Sequence, residues 1–218
     1  MKHAIAMTAA AVAALSLAAC NKPANNPNAS EGAQTGNPGQ TQPVNEAQDK
    51  VGAAVGEASA NTAGAMSTDA FVSNASQSDM YEIQAGQMAQ QRSKNPDVKA
   101  FGKMMVTDHT AMSNEMKPLI AAANQKPSPD LDQRRKGFLD NLKAAPAADF
   151  DKTYIDQQVA GHQEALDLMK GYADHGSDAG LKGGAAKAVP KIQAHLDRAK
   201  EIQAKLSNAG GAAPPAKK

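Results

Sequence analysis

The chain has 218 residues, 41% of them hydrophobic but only 3% aromatic, with no Trp and a single Cys. With 23 basic against 22 acidic side chains it has no basic surplus to neutralise phosphates, which argues against nucleic acid as a partner. One Cys supports neither an internal disulfide nor a Cys-rich metal site, and the lack of β-branched and aromatic runs predicts an all-α fold.

Met1-Lys2-His3 leads into an apolar run from Ala4 to Ala19, of signal-peptide length and too short for a membrane-spanning helix. The run ends in Leu17-Ala18-Ala19-Cys20, which resembles the lipobox of bacterial lipoproteins. The resemblance implies a signal peptide over residues 1–19 and a lipidated Cys20 as the mature N-terminus, and two or more acyl chains anchor a protein stably. Asn21 stands where an Asp would resemble an inner-membrane retention signal. The expected address is therefore the outer membrane, facing the periplasm.

Residues 20–66 are rich in Asn, Gln, Gly, Ala, Pro and Ser and are expected to form a disordered tether, with Glu46 to Ala60 as a transient helix. Residues 207–218 read as a disordered tail. Between them, residues 67–206 hold 18 acidic and 18 basic side chains, a neutral folding unit.

Within that unit Ser67 or Thr68 is expected to cap a first helix reaching Arg92. Asn95-Pro96-Asp97 supplies a cap, a first-turn Pro and a dipole-favoured charge for a second helix to about Asn124. Asp130 to Ala144 reads as a short covering helix, and Asp149 as the cap of a third long helix to about Ala173. A fourth covers Asp178 to Leu206, with Pro190 either kinking it or starting a shorter one. Two long hairpins joined by a crossover that contains a short helix make a four-helix bundle.

Each long helix carries an apolar stripe at helical spacing. Each stripe also contains one ionisable residue: Glu82, His109, His162 and His195. Glu82 lies 13 residues before Asn95 and His109 lies 14 after it. Counted around all three connections, the four heights agree to within roughly 2 to 5 Å, so the four can meet in one layer. Three imidazoles and a carboxylate suit one divalent metal ion of borderline softness, its identity open. The same residues, with Gln158, Asp108 or Tyr154, can equally satisfy one another as a structural polar network. Asp108, next to His109, is a candidate for orienting an imidazole. Met105, His109, Met112 and Met116 form a stripe with donors for copper(I), although Met more often fills a core.

Met80-Tyr81-Glu82, Asn95-Pro96-Asp97-Val98-Lys99-Ala100-Phe101, Met105-Val106 before Asp108-His109, Phe150-Asp151 before Tyr154, and His162, Pro190 and His195-Leu196 resemble a bacterial envelope family, domain of unknown function 4142. That resemblance implies a ferritin-like four-helix domain of the envelope. A di-iron site of the Glu-x-x-His type is disfavoured, because Val106, Val159 and Ile192 stand three residues before the three His. The expected function is metal binding or a stress-related accessory role on a membrane-anchored lipoprotein, without catalytic turnover. The alternatives are a structural or interaction module and a metal-dependent oxidoreductase.

Overall fold

The structure is a computed structural model that describes residues 41–62 and 66–210. Within these residues it has six helices and no strand: α1 Gln42–Ala60, α2 Thr68–Arg92, α3 Pro96–Ala122, α4 Gln133–Ala144, α5 Phe150–His175 and α6 Ala179–Gly210. The expected signal peptide and Cys20 lie outside the described residues. No described helix is long and apolar enough to cross a membrane.

Local chemistry sets most helix boundaries. Ser67 Oγ accepts from the Ala70 amide, and Asn95 Oδ1 accepts from the Asp97 and Val98 amides at 2.9 and 3.4 Å, with Pro96 at the first helical position. Helix α4 starts at Gln133, three residues after the expected Asp130, and Asp132 caps it by taking the Arg135 amide at 2.7 Å. Asp149 does not cap α5 with its side chain. The amides of Asp149 and Phe150 both donate to Pro146 O, so a helical turn already leads into α5. Helix α6 continues through Pro190 as one element and ends at Gly210, four residues beyond the expected Leu206.

The hairpins α2–α3 and α5–α6 pack with α3 on α6 and α2 on α5, and α4 covers α2 and α5. The core falls into two apolar clusters. One gathers Phe71, Ile120, Leu166, Tyr172, Leu181 and Ile192; the other gathers Phe101, Met105, Leu142, Tyr154, Ile155 and Ile202. Full burial of side chains of this size contributes about 1.5–3 kcal/mol each. The four ionisable residues singled out in the sequence lie between the two clusters on all four long helices.

Residues 42–60, within the stretch expected to be a tether, form α1, and this helix packs on α4 and α5. Ala60 joins the first apolar cluster, and the other contacts of this helix are largely polar. Asp49 accepts from Asn141 Nδ2 at 2.8 Å and from Gln157 Nε2 at 2.6 Å, and Gln42 Nε2 donates to Thr153 Oγ1 at 3.1 Å. Gly56 is buried where a Cβ would collide with the Glu164 carboxylate and the Arg134 guanidinium. The three valines that an apolar reading would turn inward, Val44, Val51 and Val55, are 44%, 65% and 55% exposed. Hydrophobic periodicity therefore could not reveal this helix as part of the fold.

Candidate metal centre

Glu82 on α2, His109 on α3, His162 on α5 and His195 on α6 are each at most 2% exposed. The three imidazoles form a nearly equilateral triangle, with ring centroids 5.6 Å apart for His109 and His162, 5.5 Å for His109 and His195, and 5.4 Å for His162 and His195. One ring nitrogen from each lies within 4.8 Å of those of the other two.

One nitrogen of every ring is already engaged. His109 Nδ1–H donates to Asp79 Oδ1, His162 Nδ1–H to the Gln158 carbonyl and His195 Nε2–H to Asp108 Oδ2, each at 2.8 Å. These bonds fix the rings and leave His109 Nε2, His162 Nε2 and His195 Nδ1 buried with no hydrogen-bond partner among the described residues. Phe101 closes one side, its ring edge-on to His162.

Electrostatics divide the three. Burial, reinforced by the charges of His109 and His195, pushes the His162 pKa well down, so this ring is neutral with its lone pair on Nε2. Burial also pulls His195 down to about 4, against the hydrogen bond it donates to Asp108. For His109 burial acts downward too, but the hydrogen bond and charge of Asp79, with Glu82 and Asp108 behind them, outweigh it and raise the pKa. Burial would raise Asp108, yet its bonds to His195 and Lys191 hold it below the usual carboxylate range.

Glu82 lies beside the triangle, not within the convergent set. Its Oε1 is 3.7 Å from His162 Nδ1, the nitrogen turned away from the free ones, and its Oε2 is buried without a partner. Burial lifts its pKa to about 7, although His109 and the nearby Gln158 amide oppose this. Both amide atoms of Gln158 and the Tyr154 hydroxyl also lack hydrogen-bond partners among the described residues. Of the bonds a structural network would need, the one that His195 donates to Asp108 is made.

Asp108 thus orients His195 across the bundle, not its sequence neighbour His109. The orienter of His109 is Asp79, which the sequence reading passed over; its place one helical turn before Glu82, on the same side of α2, was the available signal. Ser113 Oγ also donates to Asp79, at 2.6 Å.

The family model for a domain of unknown function, DUF4142, matches residues 53–202. The chain belongs to this family. No curated protein and no solved structure matches it. The DUF4142 match begins inside α1 and spans all four residues of the polar layer. For this DUF4142 domain, then, the chemistry rests on the three buried His, which are placed so that they could hold a metal ion.

Proposed function

We propose that the chain is a membrane-tethered envelope protein whose bundle binds one divalent metal ion through His109, His162 and His195, as a binding protein without catalytic turnover. One observation carries the metal reading: three buried imidazoles gathered within ligand reach of one another each keep one nitrogen without a partner while the other nitrogen of the ring is held. An unsatisfied buried polar atom costs about 1–3 kcal/mol, so a layer that gathers three of them is unfavourable as a purely structural device. A metal ion would satisfy all three at once. Carboxylates or a carbonyl behind each ligating His are the usual supports of such sites.

The dimensions support the reading. Metal–nitrogen bonds of about 2.0–2.1 Å on a tetrahedral ion place nitrogens about 3.3 Å apart and ring centroids roughly 5 Å apart. The centroids, 5.4–5.6 Å apart, are already near that spacing. Glu82 supplies negative charge beside them and would complete a four-donor set on turning past His162. The tether belongs to the same proposal through the lipobox-like ending at Cys20.

The test is elemental analysis of the chain purified from its native envelope, with thermal melts in zinc, manganese, iron or copper and in chelator. A ligand that binds only the folded state stabilises it by about 2.7 kcal/mol at a hundred times its Kd. His109→Ala should abolish that gain. A structural layer would instead show destabilisation by the substitution, about 1–3 kcal/mol, and no metal response in the wild type.

A further inference from the structure

Beside His109 the bundle leaves a cavity of about 310 Å³, bordered by α2, α3, α5 and α6 and reaching the surface at Thr110 and Asn114. Four thioethers line it: Met80 from α2, Met112 and Met116 from α3, and Met169 from α5. They are half of the eight methionines at described positions. Methionine is a good filler of irregular gaps, yet here four of them surround a gap they do not fill. Met105, on the same α3 stripe in the sequence, is buried in the other apolar cluster and does not line the cavity, whereas Met80 lines the cavity and also packs against that cluster.

We propose that this cavity is a second metal site, selective for the soft monovalent cation copper(I), with the thioethers of Met80, Met112, Met116 and Met169 as its donors. Thioether sulfur selects copper(I) over the harder divalent ions that imidazole and carboxylate take. The cavity is wider than an ion needs, and unbranched methionine side chains, with three rotatable bonds each, can close around one. The local charge supports this side of the bundle. The Asp79 carboxylate stands at the cavity's polar edge with His109, and Lys117 at the rim is turned to Asn114 at 3.0 Å. The open groove on the His195 side instead carries two cationic side chains, Lys191 and Arg198. The site does not require the three-histidine centre to be loaded.

The experiment uses the full chain with ¹³C-methyl methionine, titrated with silver(I) as a redox-inert stand-in for copper(I), and separately with zinc(II). Silver(I) is expected to shift the methyl signals of Met80, Met112, Met116 and Met169 while Met88 and Met104 stay in place, and zinc(II) is expected not to reproduce those shifts. The double variant Met112→Leu, Met116→Leu, which conserves volume and should fold, is expected to lose at least about tenfold in silver(I) affinity and to keep its zinc response. Silver(I) that leaves the four methyls unmoved, or binds the double variant as it binds the wild type, overturns the proposal. Silver(I) binding lost only in His109→Ala assigns the ion to the histidine centre, overturning this site while sustaining that one. If benzene shifts the four methyls and silver(I) does not, the cavity is an apolar ligand pocket and the copper(I) site is likewise overturned.

Discussion

Asp79 on α2 and His109 on α3, thirty residues apart, meet with Oδ1 and Nδ1 2.8 Å from each other. The bond holds the imidazole so that Nε2 is its free nitrogen, and the carboxylate's charge raises the pKa of a ring that burial alone would depress. Asp79→Asn keeps the shape but removes that charge. Metal affinity is expected to fall by about 10–100-fold, the usual cost of losing a group that supports a ligand. Competition titration against a chelating dye measures it, and an unchanged affinity would exclude His109 as a ligand held by Asp79.

Proton competition predicts the pH dependence. Binding requires the free nitrogen of His109, whose pKa is raised above 6.5, and it is favoured by an ionised Glu82, whose pKa is about 7. Affinity should therefore climb as pH rises from 6 to 8, with protons released on binding. In the metal-free protein His162 and His195 act differently. Their folded pKa values lie below the unfolded value of about 6.5, so the stability their neutral forms confer is present above that pH and is lost as pH falls toward the folded values, about 4 for His195. Melts in chelator across pH 5 to 8, for wild type and His195→Gln, separate this contribution, which should shrink in the variant.

The long helices and the polar layer were legible because their signals are local or periodic: Asn95-Pro96 at a helix start, and one ionisable side chain interrupting each apolar stripe. Counting residues from the turns sufficed to bring His109, His162 and His195 together. Two kinds of feature escaped. Asp79, its side chain only 15% exposed, acquires its role only through the packing of α2 on α3, and Asp108 turns out to serve His195 because α3 also packs on α6. A helix over Glu46 to Ala60 was expected only as a transient one; its docking escaped because its contacts are made by Asp49, Gln42, Gly56 and Ala60 while its valines face outward, the reverse of the pattern that marks a core helix.

The docking of α1 yields its own prediction. Gly56→Ala would drive a methyl group into the Glu164 carboxylate, which is held by Arg134 at 2.6 and 2.8 Å and by Arg135 at 2.9 Å. Because that buried ion-pair cluster resists movement, the helix rather than the cluster should yield. Hydrogen exchange should show faster exchange across 42–60 in the variant, with α2, α3, α5 and α6 protected as before. Equal protection of α1 in both proteins would mean that this contact does not hold the helix.

The proposed tether is tested at Cys20, the chain's only cysteine. Cys20→Ala removes the sulfur to which acyl chains would be attached. The variant should either leave the membrane fraction or retain its first 19 residues, observable by fractionation and intact mass. A variant that is processed and remains with the membrane shows that Cys20 is not the anchor.

Glu82→Gln distinguishes a metal centre from a structural layer by moving two quantities in opposite directions. With a folded pKa of about 7 against 4.5 in the unfolded chain, the buried carboxylate is destabilising once ionised, by up to about 3 kcal/mol well above pH 7. This disadvantage is absent below pH 4.5 and grows as pH rises through 7. A neutral amide of nearly the same shape escapes it, so in chelator at pH 8 the variant should melt above the wild type. The carboxylate's charge is also what would favour a divalent cation beside three neutral imidazoles, so the same variant should bind metal more weakly and gain less in midpoint when metal is added. Higher metal-free stability with a smaller metal-dependent gain identifies Glu82 as a charge kept at the cost of stability for the ion's sake. If the variant is more stable and its metal response is unchanged, Glu82 is a buried carboxylate outside the metal's reach, and the three imidazoles bind without it.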